Sequence, residues 1–124
     1  MEQIVKKEWG EEHWIVNREY CGKKLLLKEG FRCSIHQHPV KDETFHLESG
    51  LVWLEVAGEG RFLRPGDSFH LPPCTPHRFS GLEDSVIYEF STHHEDDDCL
   101  RDEPSGAIPR DLFEELRARA GRDG

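Results

Sequence analysis

His36 and His38 lie two residues apart in FRCSIHQHPVKDETFHLES, and Glu43 follows five residues after His38. In an extended segment, residues i and i+2 project from one face, so both imidazoles point together if this stretch is a strand. Pro39 ends such a strand, and PVKD reads as a turn. The chain then returns with Glu43 opening a second strand, TFHLES, and the short reversal brings its carboxylate beside both rings. Further on, GDSFHLPPCTP leads through a proline-rich loop to His77, a fourth donor that a closed barrel would carry to the same point. Three imidazoles and one carboxylate suit a borderline divalent ion: Mn, Zn, Fe, Co or Ni. With eight histidines in the chain, H-x-H alone arises by chance, and only the whole spacing points to a metal.

Two further residues could do chemistry beside such an ion. Glu89 sits mid-strand in VIYEFS, among apolar neighbours, which is an expensive place for an unpaired carboxylate. It is the candidate general base, and the plainer alternative pairs it with Arg78 or Arg101 or turns it to water. Lys41, just before Glu43, could contact a substrate hydroxyl or phosphate, or simply be solvated in its turn. His46 and His70 sit in alternating strands without matched partners and read as structural. His93-His94 reads as a solvated loop, and Glu95 to Asp98 as a solvated charge run. Phe45, Trp53 and Phe79 read as barrel filling.

Positioning these groups requires strands. HWIVNREY alternates loosely, Cys21-Gly22 reads as a turn, and KKLLLKE as the next strand. FRCSIHQH, TFHLES, LVWLEV, RFL, SFHLP, HRFSG and SVIYEFS follow, punctuated by Glu29-Gly30, Ser49-Gly50, AGEG and RPGD. Many short strands at this turn spacing predict a sandwich or barrel. From Thr92 to about 108 the chain is polar and acidic. RDLFEELRARA then sets Leu112, Phe113, Leu116 and Ala120 on one helical stripe, with Pro109 in the first turn and Gly121 as C-cap.

The chain has 124 residues and a net charge of 16 − 25 = −9. That length suits one domain, and an acidic chain without a basic cluster argues against nucleic acid and anionic membranes. No apolar run approaches the roughly 20 residues of a membrane span. No signal-peptide core follows Met1, so the four cysteines are expected to be reduced thiols in a cytoplasm.

At the histidine stretch the sequence resembles the cupins. Their first motif, G-x5-H-x-H-x3,4-E-x6-G, is filled by Gly30, His36, His38, Glu43 and Gly50. Their second, G-D-x4-P-x-G-x2-H-x3-N, is matched by Gly66, Asp67, Pro72 and His77, with Cys74 at the usual glycine and Gly81 at the usual asparagine. Within that family, KEWGEEHWIV, SIHQHPVKDE and YEFSTHHEDDDCLRDEPSG are similar to stretches of type II mannose-6-phosphate isomerases and of small D-lyxose or mannose isomerases. Ser34, His38, Glu43, Glu89, Asp96, Asp97 and Arg101 match, whereas Glu8, His36 and Lys41 replace proline, glutamine and arginine. The resemblance implies an all-β double-stranded β-helix, or jelly-roll barrel, in one domain over 1–124. The barrel would span about 12–91, an acidic loop about 92–108 and a short helix about 109–120. It also implies a metal-dependent aldose–ketose isomerase for a sugar or sugar phosphate, working by proton transfer through an enediolate, and a homodimer. An Fe(II)-dependent dioxygenase and a non-catalytic sugar-binding module are the other readings open to a cupin, since one scaffold hosts many chemistries.

Overall fold

The computed structural model describes residues 3–123. Strands β1 (Gln3–Lys7), β2 (Gly10–Asn17), β3 (Tyr20–Leu27), β6 (Glu43–Ser49), β9 (Ser68–Leu71) and β11 (Ser85–Thr92) form one sheet in the order β1-β2-β3-β11-β6-β9. The second contains β4 (Phe31–Arg32), β5 (Ile35–Gln37), β10 (His77–Gly81), β12 (Leu100–Glu103) and β13 (Gly106–Ala107), ordered β12-β5-β10-β4-β13. β7 (Val52–Val56) pairs with β10 and with β8 (Glu59–Leu63). Every pairing is antiparallel, and α1 (Arg110–Asp123) follows the strands, which gives the expected jelly roll with a terminal helix.

The alternation of each strand explains where the site forms. In β3 the inward row is Cys21, Lys23, Leu25 and Leu27; in β6 it is Glu43, Phe45 and Leu47; in β11, Ser85, Ile87 and Glu89. Ile87 stands opposite Leu25 and Leu47, and one step along the row Glu89 stands opposite Lys23 and Phe45. Each strand therefore fills one end of the barrel with aliphatic side chains, where burial of a Leu or Ile contributes about 1.5–3 kcal/mol. At the other end it carries ionisable groups inward.

Four expectations shift. The β2–β3 hairpin turns at Arg18-Glu19, where the Arg18 amide bonds the Tyr20 carbonyl at 2.7 Å, and Cys21-Gly22 lies inside β3. The acidic stretch is not all loop: β12 pairs with β5 and β13 with β4. Gly121 is helical, because α1 runs on to Asp123. Trp53 faces outward on β7, under α1, with Phe62 and Leu116 in a second apolar cluster and the Arg119 guanidinium 5.1 Å from its ring. Phe45 and Phe79 do fill the barrel. Among the described residues no helix is long and apolar enough to cross a membrane.

The β1–β2 hairpin closes one side of the site and depends on Gly10. Its φ is +148°, and a Cβ there would stand 1.8 Å from the Leu26 carbonyl oxygen. Backbone cannot yield as a side-chain tip does, so Gly10→Ala is expected to cost about 2–3 kcal/mol. Urea unfolding measures it, and a midpoint equal to the wild type would contradict this close approach.

Candidate active site

His36 on β5 stands opposite His77 on β10, so the pair is set by strand register. His38 follows two residues later, and the turn at 39–42 returns the chain to Glu43 at the start of β6. One ring nitrogen from each of His36, His38 and His77 falls within 4.8 Å of the others. Glu43 flanks two of them, with Oε2 at 3.3 Å from Nε2 of both His38 and His77. The four residues expected as ligands thus meet at one point, three as a tight cluster and the carboxylate alongside.

The ring orientations follow from the opposite nitrogens. Nδ1 of His36, His38 and His77 contacts the backbone carbonyls of Ser34 (2.9 Å), Asp98 (2.7 Å) and Thr75 (2.8 Å). A carbonyl only accepts, so each Nδ1 carries the proton and each Nε2 presents a lone pair. Nε2 of His77 is buried with no hydrogen-bond partner among the described residues. An orphaned buried nitrogen needs an explanation, and a divalent ion held by neutral imidazoles supplies one. The donor set fits such an ion.

Burial is the first cause of the imidazole shifts. It drives His36 down to about 2, with the neighbouring His77 and His38 adding to the effect, and His38 down to about 4, with Lys41 adding. His77 is lowered for the same reason. Burial and the Glu89 charge push Glu43 up to about 8, against the pull of Lys41 and Lys23. Glu89 is raised by burial too, but Lys41 and Lys23 outweigh that and hold it well below the usual carboxylate range.

Lys41, a candidate for a solvated turn lysine, is only 3% exposed. Its ammonium lies 3.0 Å from Glu89 Oε2, 3.6 Å from Glu43 Oε1 and 3.2 Å from Nδ1 of His94. Burial lowers its pKa, and the two carboxylates more than reverse that. Glu89 therefore pairs with Lys41, where the sequence suggested Arg78 or Arg101. Arg78 instead bonds the carbonyls of Cys33 and Pro104, and Arg101 bonds the Ser34 hydroxyl at 2.8 Å.

Some residues of the site were not anticipated. Lys23 is 1% exposed, lies 3.6 Å from Glu12 and packs its ammonium 4.3 Å over the Trp14 ring. His94, expected to be solvated, is half-buried against Trp14 and bonds Asp96 at 2.9 Å. Asp98, read as part of a solvated run, accepts hydrogen bonds from the Val40 and Lys41 amides. Glu95, Asp96 and Asp97 are exposed, as expected. Cys74 takes a φ of +64° in the loop before His77, the left-handed region that its usual glycine counterpart adopts freely. His46 and His70 lie outside the cavity and bond Ser68 and Asp42. The site opens into a cavity of about 580 Å³ lined by the two histidines of β5 and its end, by Lys41, Glu43 and Glu89, and by Lys23, Trp14 and Arg101.

A cupin-domain family signature matches residues 24–90. A D-lyxose/D-mannose isomerase from Thermosediminibacter oceani is 31% identical over 113 residues, which cover 68% of this chain and 62% of that protein. A D-lyxose ketol-isomerase from Thermofilum sp. is 29% identical over 120 residues, covering 74% of this chain and 67% of that protein. The chain thus spans less than two thirds of the length of the first of these relatives. The solved structure of KdgF from Halomonas sp. has a TM-score of 0.70 at 25% identity, covering 78% of this chain and 89% of that one. The stretch that the family signature matches holds His36, His38, Lys41, Glu43, His77 and Glu89 together, and the protein is a member of the cupin family.

Proposed function

We propose that this protein is a metal-dependent aldose–ketose isomerase acting on a sugar or sugar phosphate. One arrangement carries the reading: a buried carboxylate and a buried ammonium, Glu89 and Lys41, share a cavity with His36, His38 and a second carboxylate, Glu43, and His77 completes the imidazole cluster beside it. The similarity to D-lyxose isomerases supports it. His36, His38, His77 and Glu43 would hold one ion from the set Mn, Zn, Fe, Co or Ni. When bound, the ion polarises the sugar carbonyl and offsets the negative charge that develops as the adjacent carbon loses its proton.

The remaining work falls to side chains. Glu89 is ionised at neutral pH, so it is ready to accept the proton from one carbon and return it to the next. Lys41 fixes the Glu89 carboxylate at 3.0 Å and offers an N–H to a substrate oxygen. A cavity of about 580 Å³ falls within the usual range for small-molecule sites. Incubation of the metal-loaded protein with lyxose, mannose, fructose, xylulose and their phosphates, followed by chromatography, should show interconversion of at least one pair. Absence of turnover on the whole panel, with the ion bound, would sink the reading and leave the dioxygenase or the sugar-binding module.

Ion binding should carry an unusual pH signature. His36 and His38 are neutral above about pH 4, so they have no proton to lose at neutral pH. Glu43, raised to about 8, does. Affinity for the ion is therefore expected to keep climbing up to about pH 8, with nearly one proton released per ion at pH 6.5. Calorimetry in buffers of different ionisation enthalpy reads that proton directly, and release of none would mean that Glu43 is already ionised.

A further inference from the structure

We propose that Asp98 is the positioning residue of the metal centre, holding His38 and Lys41 in place from outside the barrel. The inference rests on the metal-centre reading above. The turn at 39–42 must deliver a metal-binding imidazole at one end and a carboxylate at the other. Pro39 has no N–H, and the amides of Val40 and Lys41 bond the Asp98 carboxylate at 2.9 Å and 2.8 Å, one to each oxygen. The Asp98 carbonyl meanwhile accepts the Nδ1–H of His38 at 2.7 Å, and the Asp98 amide donates to the Glu95 carbonyl at 3.0 Å. One residue thus fixes the turn, sets the tautomer of a ligand and is itself anchored.

The comparison with the other two histidines isolates the effect. His36 and His77 bond carbonyls two residues before them, Ser34 and Thr75, so their orientation is local. His38 is oriented from 60 residues away. Lys41, whose amide the same carboxylate holds, carries the ammonium that fixes Glu89. Asp98 therefore bears on the ligand set and on the Glu89–Lys41 pair at once, without touching an ion or a substrate.

Outer partners of metal-binding histidines typically matter by about 10–100-fold in affinity. The test compares Asp98→Ala, Asp98→Asn and the exposed neighbour Asp97→Ala, each folded protein titrated with cobalt(II) against a competing chelator. Asp98→Ala is expected to bind cobalt about 10–100-fold more weakly and to show an altered visible spectrum. Asp98→Asn, which keeps one acceptor oxygen, should fall between it and the wild type, and Asp97→Ala should match the wild type. A second readout needs no metal: imidazole ¹⁵N spectra of the ion-free proteins should show the Nδ1–H form of His38 loosened in Asp98→Ala, with His36 and His77 unchanged. If Asp98→Ala does not fold, faster exchange of the Val40 or Lys41 amide in Asp98→Asn serves in its place. Cobalt affinity within twofold of wild type, with His38 unaltered, overturns the inference. A wild type that binds no cobalt overturns the metal-centre reading itself, and the wild-type titration alone tells the two failures apart.

Discussion

Glu89→Gln is expected to lower turnover by about 10²–10⁴-fold, the usual worth of a positioned base, while cobalt or manganese affinity stays within a few-fold of wild type. The substitution keeps the shape of the side chain and an oxygen that Lys41 can still bond, so the local packing survives. What disappears is the group proposed to take the proton. Glu89 is 5% exposed, sits opposite Lys23 on β3, and bonds the Lys41 ammonium and the Ser91 hydroxyl rather than any of the three clustered imidazoles. Its loss therefore separates chemistry from ion binding, which loss of Glu43 or His77 would not. There is a tension in the geometry that the same variant addresses. Lys41 and Lys23 hold Glu89 well below the usual carboxylate range, and so weak a base competes poorly for a carbon-bound proton. In the proposed mechanism, substrate would draw the Lys41 ammonium toward its own oxygen before Glu89 becomes basic enough, so the two residues would act as a unit. Steady-state kinetics with the best substrate of the panel measures the outcome. Full turnover in Glu89→Gln would remove Glu89 from the reaction and shift the role of base to Glu43 or a water.

Much of this site was legible because strand geometry is local. His36 and His38 share a face through their two-residue spacing, and the turn at Pro39 brings Glu43 back beside them, so the three could be placed together from twenty residues of sequence. The pairing of Lys41 with Glu89 was not legible, since it joins residues 48 apart and depends on which strands β11 chooses as neighbours. Lys23 shows the opposite case. The row Cys21, Lys23, Leu25, Leu27 is a plain period-two pattern that puts a lysine on the inner face, but a turn placed at Cys21-Gly22 cuts the row and hides it. Trp53 was recoverable in the same way: Val52, Leu54 and Val56 take the inner face, which leaves Trp53 outside for α1 to cover. Asp98 carried no such signal. An aspartate whose carboxylate caps a distant turn looks, in sequence, the same as its solvated neighbours.

Lys41→Met should show how much of the fold depends on the charges of the site. The ammonium is buried between two carboxylates, at 3.0 Å from Glu89 and 3.6 Å from Glu43. Methionine replaces the stem and leaves both acids facing each other, a change expected to cost about 3–5 kcal/mol at neutral pH, as for other buried pairs broken on one side. The pH dependence identifies the cause. In the wild type, Glu89 has a depressed pKa, so its contribution is present above its ordinary 4.5 and is lost as the pH falls below it. Without Lys41 the largest opposing charge is gone, and burial is expected to outweigh the remaining pull of Lys23 and raise that pKa, as it does for Glu43 even against both lysines. A raised carboxylate reverses the sign: its contribution is complete below 4.5 and is lost as the pH rises through the new value. The deficit of Lys41→Met against wild type should thus be widest at pH 7–8 and should shrink towards pH 4.5. Urea unfolding of the chelator-treated proteins at both ends of that window reads the difference, with chelator needed because a bound ion would stabilise the folded state on its own account. An equal deficit at both pH values would assign the loss to packing, and the charge argument for the Glu89–Lys41 unit would fail with it.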